Sequence, residues 1–208
     1  MKVAAVVLLG MMTLAAWSQD MAGHYVLHGV MEVGSELMLK PGGNFEWGLA
    51  YGAADYWAKG TWSRDGNAVV LHSTGKEEEP FKFLRSEAGK PGRIRVWVMG
   101  KNGKGVENID VYLLAGAIEP QEARTDSEGA AVFPDDPKAH AVAFEVRVYE
   151  LRTKPFEIDA KSNKDFYYEI NGEAITQVLF KDERLTIDGT SLILKRDPAH
   201  PMKYDREQ

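Results

Sequence analysis

The sequence lacks cysteine entirely among its 208 residues. This absence excludes a disulfide framework, lipid attachment at a cysteine and a cysteine nucleophile, so the fold depends on its hydrophobic core. Clusters of lysine and arginine are also missing, and the net charge is −6. Because phosphate contacts need basic groups, nucleic acid is not an expected partner.

Motifs that commonly mark catalytic and metal sites are missing too. There is no Gly-x-Ser-x-Gly elbow, no His-Glu-x-x-His and no phosphate-binding loop. His24 and His28 are four residues apart, but their segment has strand composition, which would separate them by about 13 Å. Two ligands of one zinc ion cannot be so far apart. We therefore expect no cofactor, no metal site and no enzymatic activity.

The first residues have the layout of a secretory signal peptide, residues 1–18. Lys2 precedes an apolar run that ends at Trp17, and the small residues Ala16 and Ser18 precede the predicted cleavage site. The run is shorter than the ~20 residues of a membrane-spanning helix. We expect cleavage after Ser18, a periplasmic or secreted bacterial protein, and no membrane span in the mature chain.

Alternation of apolar and polar residues dominates the remaining sequence and predicts an all-β fold. The predicted strands before residue 88 are 24–31, 35–40, 44–51, 55–63 and 67–73, and those after residue 160 are 165–170, 175–180, 184–188 and 190–196. Each group alone makes a thin sheet with open edges, which closure into a barrel removes. We predict one antiparallel barrel or sandwich built from residues 19–88 and 161–208.

The stretch between these segments predicts a separate β-sandwich over residues 89–160, because short strands and turns follow one another closely. Its sequence has Val96 and Val98 before IDVYLL, Thr125-Asp126-x-x-Gly129 before AAVF, and then VAFEVRVYE. These features resemble the transthyretin-like or carboxypeptidase-regulatory-like family. The resemblance implies an inserted seven-stranded Ig-like or transthyretin-like sandwich that acts as a spacer, adhesion or regulatory module. Calcium at the acidic sandwich loops remains an open alternative.

Aromatic residues concentrate in EWGLAYGAADYWAKGTW, residues 46–62. Alternation places Trp47 and Tyr51 on one face of a strand, and Tyr56 on the matching face of the next strand, so Trp47 is predicted to be core. Trp57 shares the polar face with Asp55, which indicates either a contact surface or a position under the inserted sandwich. We predict ligand binding by these five residues at the barrel mouth. The motif GTW at 60–62 resembles the small lipocalin-like barrels.

Three functional hypotheses remain open at this point. The first is an exported, non-enzymatic envelope protein that binds a small apolar or aromatic ligand or a protein partner. The second is a purely structural or interaction module whose aromatic residues are all core. The third is a hydrolase that uses Glu46 and Asp55 at the barrel mouth.

Overall fold

A computed structural model describes residues 21–116, 119–197 and 199–207. The predicted signal peptide lies outside these residues, so export stays a prediction. The chain divides into two units, Met1–Glu77 with Gln177–Gln208 and Glu78–Thr176. We call them the barrel unit and the sandwich unit.

The described elements are mostly β-strands. In chain order the strands are β1 Gly23–Leu27, β2 Val33–Leu39, β3 Asn44–Tyr51, β4 Ala54–Asp65, β5 Ala68–Ser73, β6 Phe81–Glu87, β7 Arg93–Gly100, β8 Asp110–Leu114, β9 Gln121–Arg124, β10 Ala130–Pro134, β11 Ala141–Val146, β12 Leu151–Arg152, β13 Phe156–Glu157, β14 Asp165–Ile170, β15 Glu183–Asp188, β16 Ser191–Leu194 and β17 Met202–Arg206. A 3₁₀ turn, Arg147–Tyr149, follows β11, and a short helix, α1, spans Gly172–Thr176.

Strands from both ends of the chain form a closed antiparallel barrel, in the order β1-β17-β16-β15-β5-β4-β3-β2. Two pairings join the terminal segments. β1 pairs with β17, with Tyr25 opposite Arg206, and β5 pairs with β15, with Val69 opposite Leu185. The prediction of an all-β fold with a barrel made from the two ends is therefore confirmed.

The barrel interior is packed with large apolar side chains, as the strand alternation predicts. Trp47 and Trp62 are both buried, and fully buried Phe45, Leu37 and Leu71 pack in the same cluster. Residue 60 of β4 is glycine for a steric reason. A Cβ at Gly60 would lie 2.0 Å from the carbonyl oxygen of His72, so the close approach of β4 and β5 requires glycine here.

Buried polar groups inside the barrel satisfy one another in a chain of hydrogen bonds. Trp47 Nε1 donates to Tyr204 Oη at 3.0 Å, and Ser35 Oγ donates to the carbonyl of Gly48 at 2.7 Å. Tyr204 Oη and Ser35 Oγ are 2.8 Å apart. Since the serine proton goes to Gly48, Tyr204 donates to Ser35. This chain ties β17 to β2 and β3, and burial raises the pKa of Tyr204.

The predicted strand at 175–180 is wrong. Its start belongs to α1, and its end lies in a segment that inserts Phe180 into the barrel core. The ring of Phe180 lies 5.8 Å from that of Phe45 and 5.2 Å from that of Trp47. The backbone N–H groups of Ser73 and Phe180 are also satisfied, by Phe180 O and Ser73 Oγ. Burial of the phenyl ring outweighs strand pairing here.

The sandwich unit contains two sheets around one hydrophobic core. One sheet has the order β10-β7-β14-β6, in which β14 runs parallel to β7, and the other has β12-β11-β8-β9 with β13 also paired to β11. Val96, Val111, Val142 and Phe144 from the two sheets are fully buried in this core.

The boundaries of this unit differ from the predicted 89 and 160. β6 and β14 pair with each other and complete the sheet that contains β7. The physical reason is their apolar face, because Phe81, Phe166 and Tyr168 are buried in the sandwich core. The ring of Phe81 stacks on that of Phe144 at 4.4 Å. These two strands therefore flank the predicted sandwich instead of extending the barrel.

We expect Tyr204→Phe to lower the free energy of unfolding by about 1–3 kcal/mol, because in a buried interior Trp47 Nε1 loses its acceptor and Ser35 Oγ loses the donor that Tyr204 supplies. Urea denaturation followed by tryptophan emission measures this change. Tyr51→Phe removes the same hydroxyl from a residue that is 57% exposed, and it should stay within about 0.5 kcal/mol of wild type. Equal losses in the two variants would contradict the role of the hydrogen-bond chain.

Candidate functional site

The outer wall of the barrel has a depression where small residues lie on adjacent strands. Gly34 of β2 lies opposite Ala50 of β3, and Gly48 is two residues away on the same face. A Cβ at Gly34 or at Gly48 would meet no atom within 4 Å. These glycines therefore form the floor of an open depression of about 630 Å³.

Apolar and ionisable side chains surround this floor. The apolar part of the lining includes Val26, Met38 and Leu49, and the ionisable part includes His24, Glu36, Glu46 and Asp55. His24 and Val26 share one face of β1, and Glu36 and Met38 lie opposite them on the same face of β2, so apolar and ionisable residues both occupy outward positions. Leu49 belongs to the other face of β3 from Gly48.

Two of the three carboxylates in the lining have cationic partners. Glu36 lies 3.0 Å from His24 Nε2, and Glu46 pairs with Lys40. The exposed carboxylate of Asp55 makes no ion pair with any residue in the described ranges. Asp55 is therefore the carboxylate of the lining that is available to a ligand.

His24 joins three segments of the barrel. Its Nε2 faces Glu36 on β2, and its Nδ1 lies 2.8 Å from Glu207, just after β17. Burial lowers the pKa of His24, but hydrogen bonds to both carboxylates outweigh burial and raise this pKa above its ordinary value. When it is protonated, the ring links the first strand to the second and to the last by two ion pairs.

The structure brings together three of the five residues predicted to bind a ligand. Trp47, Tyr56 and Asp55 line the depression. Tyr51 is exposed at the end of the β3–β4 hairpin, and Trp57 lies opposite Gly48 with Lys59 5.3 Å above its ring. These two residues lie outside the lining, so they flank the depression.

The hydrolase hypothesis needs Glu46 and Asp55 close to each other, and the strand register separates them. Glu46 lies opposite Lys59, whereas Asp55 lies opposite Ala50. Four residues on a strand span about 13 Å. Pairs of catalytic carboxylates in glycoside hydrolases lie about 5–9.5 Å apart. The register therefore does not place Glu46 and Asp55 side by side.

Sequence reasoning missed the floor and one wall of the depression. Gly34 and Gly48 interrupt alternating strands at outward positions, and a glycine inside a strand is a known signal of a missing side chain or a close approach. His24, Glu36 and Met38 could not be assigned to this wall without the register between β1 and β2.

Comparison of the chain with protein-family models, curated proteins and solved structures found no match. The likeness to transthyretin-like sandwiches and lipocalin-like barrels thus stays a prediction. Within the described residues, no group of three or more His, Cys, Asp or Glu side chains could hold a metal ion. None of the described helices is long and apolar enough to cross a membrane.

The ion pairs of His24 make barrel stability depend on pH. A histidine whose pKa is raised on folding stabilises the fold fully below its unfolded pKa, about 6.5, and loses this contribution as pH rises through the higher folded pKa. We therefore expect the free energy of unfolding to fall as pH rises from about 6 to 8. Urea denaturation at several pH values measures this slope.

The variant His24→Gln should flatten the slope, because it removes the titrating group. His140→Gln is the matched control, since His140 is exposed, its Nδ1 is hydrogen bonded to the backbone carbonyl of Lys138, and it makes no ion pair with a described residue. An unchanged slope in His24→Gln would show that another group causes the pH dependence.

Proposed function

We propose that this chain is an exported, non-enzymatic binding protein of the bacterial envelope, and that the outer-wall depression of its barrel unit binds a small ligand. The ligand has an apolar or aromatic body and is neutral or cationic. The open floor over Gly34 and Gly48 carries this proposal, since it leaves space beside apolar side chains. The signal-peptide pattern at residues 1–18 supports export.

The packing of the barrel supports an external site over an internal one. Small barrels commonly hold a ligand inside, where the interior residues leave a cavity. Here Phe180, Trp47 and Phe45 pack against one another in the interior. The depression instead exposes apolar surface on the outer wall, and Trp47 reaches both the core and the lining.

Charge narrows the class of ligand. Glu36, Glu46 and Asp55 all line the depression, and Asp55 has no cationic partner in the described residues. A carboxylate on the ligand would be repelled by these groups, whereas an ammonium would be attracted. Among ligands that share one apolar group, we therefore expect the amine to bind most tightly, the alcohol less tightly and the carboxylic acid most weakly.

Decylamine, decanol and decanoate test this order, because they share one apolar chain and differ in charge. We expect tryptophan emission to shift on titration with the amine and the alcohol, and to change little with the acid. A Gly48→Leu variant fills the floor and should weaken binding by about tenfold or more without loss of stability, because a side chain fits there.

Thr61→Leu is the matched control for this variant. It adds the same side chain on the outer face of β4, opposite Asn44 and outside the lining. If none of the three compounds shifts the emission, or if both variants bind equally well, the depression is not a ligand site. The interpretation as a structural or interaction module would then be favoured.

A further inference from the structure

The sandwich unit has a second open cleft, of about 470 Å³, at one end of its four-stranded sheet. The parallel strands β7 and β14 both end there, and the antiparallel β6 begins there, with Phe81 opposite Ile170. Side chains from three strand ends therefore meet in one place. The residues that precede β6 and follow β14 also line the cleft.

One wall of the cleft is aromatic. Phe83 of β6 and Phe156 of β13 line it, and each ring packs edge-to-face on Tyr168, at 5.5 and 5.3 Å. Phe83 is 44% exposed although it belongs to this ring cluster. The ring cluster is therefore packed against buried Tyr168 on its inner side, whereas Phe83 and Phe156 are accessible from the cleft.

Two buried polar atoms near this wall lack partners within the described part of the chain. Asn171 Oδ1 belongs to a lining residue that is 8% exposed, and Tyr168 Oη belongs to a fully buried residue outside the lining whose ring contacts Phe83 and Phe156. Asn171 lines the cleft, and its amide nitrogen donates to Glu78 at 2.5 Å, which leaves its oxygen without a donor. Such groups are rare because each costs about 1–3 kcal/mol. A third, Trp97 Nε1, lies outside the cleft lining.

The charged groups of the cleft include carboxylates without partners. Glu79 and Glu169 line it and make no ion pair with described residues, whereas Lys101 pairs with Glu173 at 3.6 Å. Lys82 lies opposite Glu169 on the neighbouring strand. Glu79, Glu169 and Asn171 Oδ1 thus place acceptors without partners in the lining, and Lys82 is a lining cation that also makes no ion pair with described residues.

We propose that this cleft binds an organic ammonium with an aromatic body. The ammonium donates to Asn171 Oδ1, Glu79 and Glu169 balance its charge, and the ring packs against Phe83 and Phe156. This site belongs to the sandwich unit and is independent of the depression on the barrel unit.

Titration of the full chain with 2-phenylethylamine tests the proposal, with amide chemical shifts in NMR as the readout. We expect a dissociation constant on the order of 1 mM, as is reasonable for so small a ligand, and shifts at residues of the cleft. The matched compounds 2-phenylethanol and 3-phenylpropionate should bind at least tenfold more weakly. Equal binding of all three, or no binding of the amine, would overturn the proposal.

The double variant Glu79→Gln, Glu169→Gln should weaken amine binding by about tenfold or more, and Phe83→Ala should weaken it as well. Glu107→Gln is the matched control, because Glu107 is exposed in the same unit and outside the lining. Gly48→Leu, which fills the barrel depression, should leave the shifts of the cleft unchanged. Loss of the cleft shifts in Glu107→Gln or in Gly48→Leu would contradict the assignment of amine binding to this cleft.

Titration with calcium chloride is the last control. The cleft shifts should not respond to calcium at the concentrations at which the amine saturates them. If calcium alone produces the same shifts and displaces the amine, the cleft is a metal site and the proposal is wrong.

Discussion

The pairing of β1 with β17 is the interaction on which the barrel depends. It joins the two ends of the described chain, and without it both strands would be open edges with unpaired N–H and C=O groups. Side chains reinforce the seam, since His24 bonds Glu207 across it and Arg206 donates to the carbonyl of Ala22. Tyr204 of β17 is also a partner of Trp47 in the core. Strand β17 therefore contributes both to barrel closure and to core packing.

The sandwich unit is inserted between β5 and β15, and its first and last strands are neighbours, so the long insertion does not prevent barrel closure. Its first and last strands, β6 and β14, are antiparallel neighbours, and the N–H of Asn171 donates to the carbonyl of Pro80 at 2.8 Å. The two ends of the insertion therefore lie side by side. In the barrel unit, Ser73 and Phe180 are hydrogen bonded at the matching positions. Loop-closure entropy is then small for the β5–β15 pairing once the insertion has folded.

The open-edge argument predicted a barrel from the two ends of the chain, since an unpaired edge is visible as strands that lack a partner. It could not assign β6 and β14, because an apolar face fits either a barrel or a sandwich core. The same ambiguity explains Phe180, whose alternating neighbours predict a strand equally well. For the candidate site, alternation predicted an inward face for Trp47 and Tyr56 and a polar face for Asp55, but the floor at Gly34 and Gly48 depends on the register between strands. Register is set by tertiary pairing, which no single segment specifies.

Two buried tyrosines differ in how their hydroxyl groups are satisfied. Tyr204 and Tyr168 are both fully buried, and burial raises the pKa of each, so both hydroxyls stay protonated. Tyr204 has Trp47 and Ser35 as partners, so the barrel interior is satisfied by its own residues. Tyr168 has no such partner among the described residues. Since an unsatisfied buried group costs free energy, the Tyr168 hydroxyl is a cost to the sandwich unit that the Tyr204 hydroxyl does not impose on the barrel interior.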